Sequence, residues 1–243
     1  CDRSELVVQF SHAFRLVVWQ RSFSSVGAGT VTTAPLDAAL TFAAAALAQV
    51  PPAASDGGPR RFEIVGGPVT ARAGPSETAE PVGVVQDGAI LANLGCTLAD
   101  GAPWCEVRRF RGGARVFVPG RHLAPAAGPD GAVPMGLDSS PRRARAGDFD
   151  ASGEIVCAQE RGQALGLCRA EVARGTGGDA TVVATFANGF ARHLYFLHGE
   201  FVAANATMSG VGTDTDWRLD GGQHHLRVDD QRFVLSGEFV FGN

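Results

Sequence analysis

The side chains best suited to chemistry are four cysteines in two close pairs, Cys96 with Cys105 and Cys157 with Cys168, and the histidines His193, His198, His224 and His225. A free thiolate beside an imidazole base would make a nucleophilic pair, with Cys96 or Cys157 as the attacking sulfur. A zinc clip would need two further ligands at finger-like spacing, and no CxxC or HxxxH occurs in the chain. A dithiol redox couple is normally CxxC and is absent for the same reason. His224-His225 followed by Asp229-Asp230 suggests a metal site at first sight, but neighbouring strand residues point to opposite faces, so polar residues around exposed turns are the better reading. Asp148, Asp150, Glu154, Asp214 and Asp216 include carboxylates enough for glycoside hydrolysis, yet nothing in their spacing singles out a pair. Gly175 to Gly178 reads as a turn rather than a phosphate cradle, because no helical pattern follows it. No G-x-S-x-G elbow, Walker loop or H-E-x-x-H is present. These residues therefore predict no catalytic site, no metal and no cofactor.

The elements that must carry the cysteines decide between thiol and disulfide. Asp100-Gly101 between strand-like runs is a strong signal for a two-residue type I′ hairpin. That turn places Ala99 opposite Ala102, Leu98 opposite Pro103, Thr97 opposite Trp104 and Cys96 opposite Cys105. The two cysteines then form a non-hydrogen-bonded pair, with Cα atoms about 4.5 Å apart and within disulfide reach. Pro103 falls where its missing N–H is not needed. The register predicts a cross-strand disulfide, contributing on the order of 2–3 kcal/mol for so short a loop. Cys157 and Cys168 lie at similar hairpin range and predict a second one. Two local disulfides imply an oxidising compartment, buried thiols in a cytosolic protein being the alternative.

Composition bounds the rest. The chain has 243 residues, enough for one large or two small domains, and its net charge of −4 without a basic stripe argues against a nucleic-acid partner. An apolar run ending in Ala46-Leu47-Ala48, before Gln49, resembles a cleavable export signal and is too short to span a bilayer. Residues 1–48 are accordingly expected to be a signal or upstream segment, unstructured or helical, and residues 49–60 a Pro/Ala/Gly linker. Residues 61–126 read as short strands of alternating apolar residues with turn dipeptides about every 8–12 residues, a small all-β barrel. Residues 127–148, rich in Pro, Gly, Ser and Arg, read as a second linker, and Pro141 to Gly147 as its solvated basic run. Residues 149–243 read as a second antiparallel β domain, with turns at Asn188-Gly189, His198-Gly199, Gly221 and Asp229-Asp230.

The stretch from Val69 to Pro125 resembles a bacterial SH3 (SH3b) domain. The matching residues are Arg72, Gly74, Pro75, Ser76, Gly83, Gly88, Gly95-Cys96, Asp100-Gly101, Trp104 and the Gly112 to Leu123 ending. That family usually ends with a Gly-Trp-Val or Gly-Tyr-Val strand, and here Arg115-Val116-Phe117-Val118 stands in its place, with Phe117 suited to the aromatic's role. Residues 149–243 are similar to the region that follows SH3b domains in some alphaproteobacterial envelope proteins. The resemblance implies an SH3-like barrel, a periplasmic or secreted location and a non-enzymatic module that binds cell-wall peptide or glycan. By their place in the pattern, Arg72, Ser76, Glu77, Arg109 and Phe117 become the expected ligand-binding residues, with Trp104 in the core. The alternative is an inhibitor or accessory protein that docks on a periplasmic partner through the C-terminal β domain. A cell-wall hydrolase is the third class, since SH3b modules often accompany Cys-His peptidases; closed disulfides would leave it no thiol in the globular units.

Overall fold

The computed structural model describes residues 50–109, 112–206 and 214–242. The export-signal reading of residues 1–48 lies outside them. The described fold is all-β, built from two antiparallel sheets.

The first sheet comprises β1 (Arg61–Ile64), β2 (Val69–Arg72), β3 (Pro81–Val85), β4 (Ile90–Ala99), β5 (Ala102–Arg109), β6 (Val116–Pro119) and β7 (Leu123–Pro125). Its order is β3-β2-β6-β5-β4-β1-β7. Asp100 and Gly101 both adopt positive φ, 51° and 77°, and the β4–β5 hairpin has the register that the turn dictates, with Cys96 opposite Cys105. These two are disulfide-bonded, their Cα atoms 3.9 Å apart. A bulge between Asn93 and Gly95 bends β4. Inward residues Phe62, Ile64, Val69, Leu91, Val107 and Val118 fill the core, and Trp104 is buried. Asp87-Gly88 does not close a β3–β4 hairpin. The chain crosses over there, so β3 pairs with β2 and remains an edge of the sheet.

The second sheet comprises β8 (Ala151–Ala158), β9 (Gly166–Arg174), β10 (Ala180–Thr185), β11 (Ala191–Leu197), β12 (Glu200–Ala204), β13 (Thr215–Asp220), β14 (Gln223–Val228) and β15 (Gln231–Ser236). Its order, β12-β11-β10-β9-β8-β15-β14-β13, is an up-and-down meander whose last strand returns to the first. Only the seam between β12 and β13 lacks a ladder among the described residues, and β12 approaches both β13 and β14 across it. The sheet is nearly a closed barrel. Its interior is filled by Phe186, Leu194, Phe196, Phe201, Phe233 and Leu235 among others, with the Cys157–Cys168 disulfide in the same core. Helix α2 (Gly237–Phe241) packs Phe239, Val240 and Phe241 against this core, its first turn capped by Ser236 Oγ, which accepts from the Phe239 N–H at 3.1 Å.

The segment read as a structureless linker, residues 127–148, is anchored to the rest of the fold at several points, with Pro134, Ser140 and Ala144 buried. It contains helix α1 (Ser140–Arg145), which covers β9 and β10 through Ala144, Ala173 and Val183. Pro129 and Pro134 press on Gly178 and Gly177, where any Cβ would collide with a proline ring, and a Cβ on Gly128 would overlap the Gly177 backbone. Gly177 and Gly178 have φ of 71° and 75°, so only glycine satisfies both the backbone and the contact. A buried ionic node completes this junction. Asp179, between β9 and β10, accepts from the guanidiniums of Arg60 and Arg61 in the first unit and from the His198 N–H at 2.9 Å. Arg60 also donates to the carbonyls of Gly136 at 2.8 Å and Leu137 at 3.1 Å. The two sheets and the connecting segment thus share one set of charges.

Candidate functional site

Four of the five residues expected to bind ligand lie at one corner of the first sheet. Arg72, at the end of β2, is the ladder partner of Phe117 on β6, and Phe117 is in turn opposite Glu106 on β5. Ser76 and Glu77 occupy the turn that leads from β2 to β3. Arg72 Nη1 donates to the Ala79 carbonyl at 2.8 Å, tying that turn to the strand, while its Nη2 lies 3.5 Å from Glu77 Oε2. Arg121, in the short 3-10 turn Gly120–His122, donates to Glu77 Oε1 at 2.9 Å. The Arg121 guanidinium, helped by Arg72, holds the Glu77 carboxyl below the ordinary carboxylate range. Ser76 Oγ turns back on its own loop, accepting from the Thr78 N–H at 3.1 Å. Phe117 is half-buried, with its flank available beside these charges.

Arg109 does not join them. It ends β5 opposite Leu91 of β4, and β6 pairs with β5 only as far as Val107. Arg121 takes its place in the cluster. Forty-odd residues of chain separate Arg121 from Glu77, so no local spacing pattern announces the pair.

The edge strand β3 runs away from this corner, with Val82 and Val84 exposed. Arg72, Glu77 and Arg121 alternate in charge, and together with the flank of Phe117 and the open edge they can hold an extended chain by backbone hydrogen bonds, apolar contact and one or two polar anchors.

Elsewhere the chemistry-bearing residues are occupied structurally. All four cysteines of the two pairs are in disulfides. His224 is buried inside the barrel and accepts at Nδ1 from Trp217 Nε1 at 3.1 Å, whereas His225 lies on the other face. Asp148 and Asp150 both clamp Arg143 of α1, at 2.7 and 2.8 Å. Among the described residues no group of three or more His, Cys, Asp or Glu is placed to hold a metal ion. No family model, curated protein or solved structure matches this chain.

Proposed function

We propose that the chain is an exported, non-enzymatic binding module of the bacterial cell envelope, whose first unit holds an extended peptide or glycan of the cell wall. The observation that carries this reading is the meeting of Arg72, Glu77, Phe117 and Arg121 beside the open edge of β3. A sheet edge offers unpaired backbone groups to an extended ligand, and side chains next to it supply selectivity. The resemblance of Val69 to Pro125 to SH3b domains supports the same assignment. Two disulfides favour a periplasmic or secreted location, and no helix among the described residues is long and apolar enough to cross a membrane.

The test is co-sedimentation of the full chain with purified peptidoglycan sacculi. Arg121→Ala and Phe117→Ala are expected to lower the bound fraction several-fold. Arg121 is exposed, so its replacement leaves the melting temperature within a degree or two; Arg72→Ala also removes the bond to Ala79 and confounds binding with loop stability. Equal retention of wild type and both variants would sink the assignment. Clearing of a peptidoglycan suspension would overturn its non-enzymatic part.

A second reading places the activity in the barrel, as an accessory protein that docks on a periplasmic partner. One observation favours it: Val156 and Leu167 are ladder partners on the outer wall, and Leu167 is 64% exposed, with Leu165 beside it 50% exposed. Retention of a protein partner that Leu167→Asp abolishes and Arg121→Ala leaves intact would select this reading over the first.

A further inference from the structure

Arg227 of β14 and Arg232 of β15 are ladder partners on the outer wall of the barrel. Like charges directly opposite one another are unfavourable in a sheet, so such a pair needs compensation. Arg227 finds it in Asp214, at 2.8 and 3.2 Å, and Arg232 donates through Nη2 to the Gln163 carbonyl. The Nε–H of Arg232, in contrast, is buried with no acceptor among the described residues. Arg161, on the β8–β9 turn, brings a third guanidinium to the same place. These three arginines, with Gly162, Asp229 and Asp230, line a cleft of about 400 Å³.

The two acids do not neutralise the cleft equally firmly. Asp229 approaches the buried Arg192 at 3.4 Å, and its other oxygen accepts from the Asp214 N–H at 2.9 Å. Among the described residues Asp230 is held by Arg161 in an exposed pair, with Arg161 86% exposed, and pairs of that kind contribute little. A stronger acceptor entering the cleft can replace Asp230 on Arg161 and stand beside the guanidiniums of Arg227 and Arg232, which line the same cleft. Guanidinium forks match planar or tetrahedral oxyanions with two parallel bonds.

We infer that this cleft is an oxyanion-binding site, taking a carboxylate or phosphate group on Arg161, Arg227 and Arg232. It is separate from the corner around Arg72 and Phe117 and does not depend on the ligand bound there. The neighbouring row along the same outer wall runs from His225 through Val234 and Val156 to Leu167 and is apolar beyond the histidine, so the favoured ligand carries its anionic group next to an apolar one.

Titration calorimetry on the full chain at low ionic strength tests it, with pyrophosphate and an N-acetylated dipeptide ending in a free carboxylate as probes. Saturable binding of either probe is expected, weakened at least tenfold by Arg161→Gln and by raised salt, and unchanged by Arg218→Gln, an exposed arginine of β13 outside the cleft. Preference between the probes separates a phosphate source from a peptide terminus. Arg232→Gln serves as the second variant, read beside its melting temperature; Arg161 is on an exposed turn and its replacement keeps the fold. Absence of binding by both probes at millimolar concentration, or binding that neither variant weakens, would overturn the site.

Discussion

At the scale of residues, the histidines report most directly on the fold. Burial lowers His193, His198 and His224 from the ordinary imidazole value of 6.5, and nearby arginines add to the effect at His193 and His198. A lowered value in the folded state means that the unfolded chain binds protons first as pH falls. The stabilisation is therefore complete above about pH 6.5 and is lost progressively as pH drops through the folded-state values. His224 shows why: its Nδ1 accepts from Trp217, and protonation would turn that acceptor into a second donor. Melting temperature is expected to fall between pH 7.5 and pH 5, and His224→Phe, although less stable at neutral pH, should show a shallower decline. An equal slope in the variant would remove His224 from this account. His224 and His225 were legible in the sequence as strand neighbours on opposite faces. That His224 is the inward one was not, because the alternation alone leaves two phases open.

At the scale of elements, the β4–β5 hairpin is the clearest local result. Asp100-Gly101 demands positive φ, the turn sets the register, and the register sets the disulfide, so three levels follow from two residues. Alkylation and mass spectrometry on residues 49–243 should find no free thiol. Replacing Cys96 and Cys105 together by alanine is expected to lower stability by about 2–3 kcal/mol in urea denaturation. A loss below about 0.5 kcal/mol would show that the turn alone holds the hairpin. Asn188-Gly189 teaches the opposite lesson. Its hairpin exists, but Asn188 keeps negative φ and Gly189 alone is left-handed, at 81°, so the loop is longer than two residues. The Gly189 N–H donates to the Phe186 carbonyl at 2.9 Å, a type I turn closed by a glycine bulge. Strand β10 breaks the period-two pattern because α1 covers its outer face, leaving Ala180–Ala184 buried on both sides. Helix α1 itself was hidden by its composition: it is short, three of its six residues are arginines, and Pro141 stands in its first turn.

At the scale of the molecule, Asp179 is the residue on which both sheets converge. Its side chain is fully buried and that of Arg61 only 3% exposed. Burial pushes the Asp179 carboxyl upward, while Arg61, the His198 N–H and Arg60 oppose that shift. Removing one partner of such a node strands a charge away from water, which costs about 3–5 kcal/mol. Asp179→Asn, which keeps the side chain's shape but leaves the Arg60 and Arg61 guanidiniums without their carboxylate, is thus expected to lower the stability of the full chain by roughly that amount and to separate the unfolding of the two sheets into distinct transitions. A single transition shifted by less than a kilocalorie would show that the junction is held by Pro129, Pro134 and their glycine contacts instead. The sequence by itself determined the all-β class, the hairpin turns, the second β unit and both disulfide pairings, because turn chemistry and strand alternation act over a few residues. The tertiary structure alone decided that β3 is an edge, that Arg121 rather than Arg109 stands beside Glu77, that the connecting segment is packed, and that Arg161, Arg227 and Arg232 share one cleft. Each of these depends on which distant strands become neighbours, and that is settled by barrel closure and burial, which no local pattern encodes.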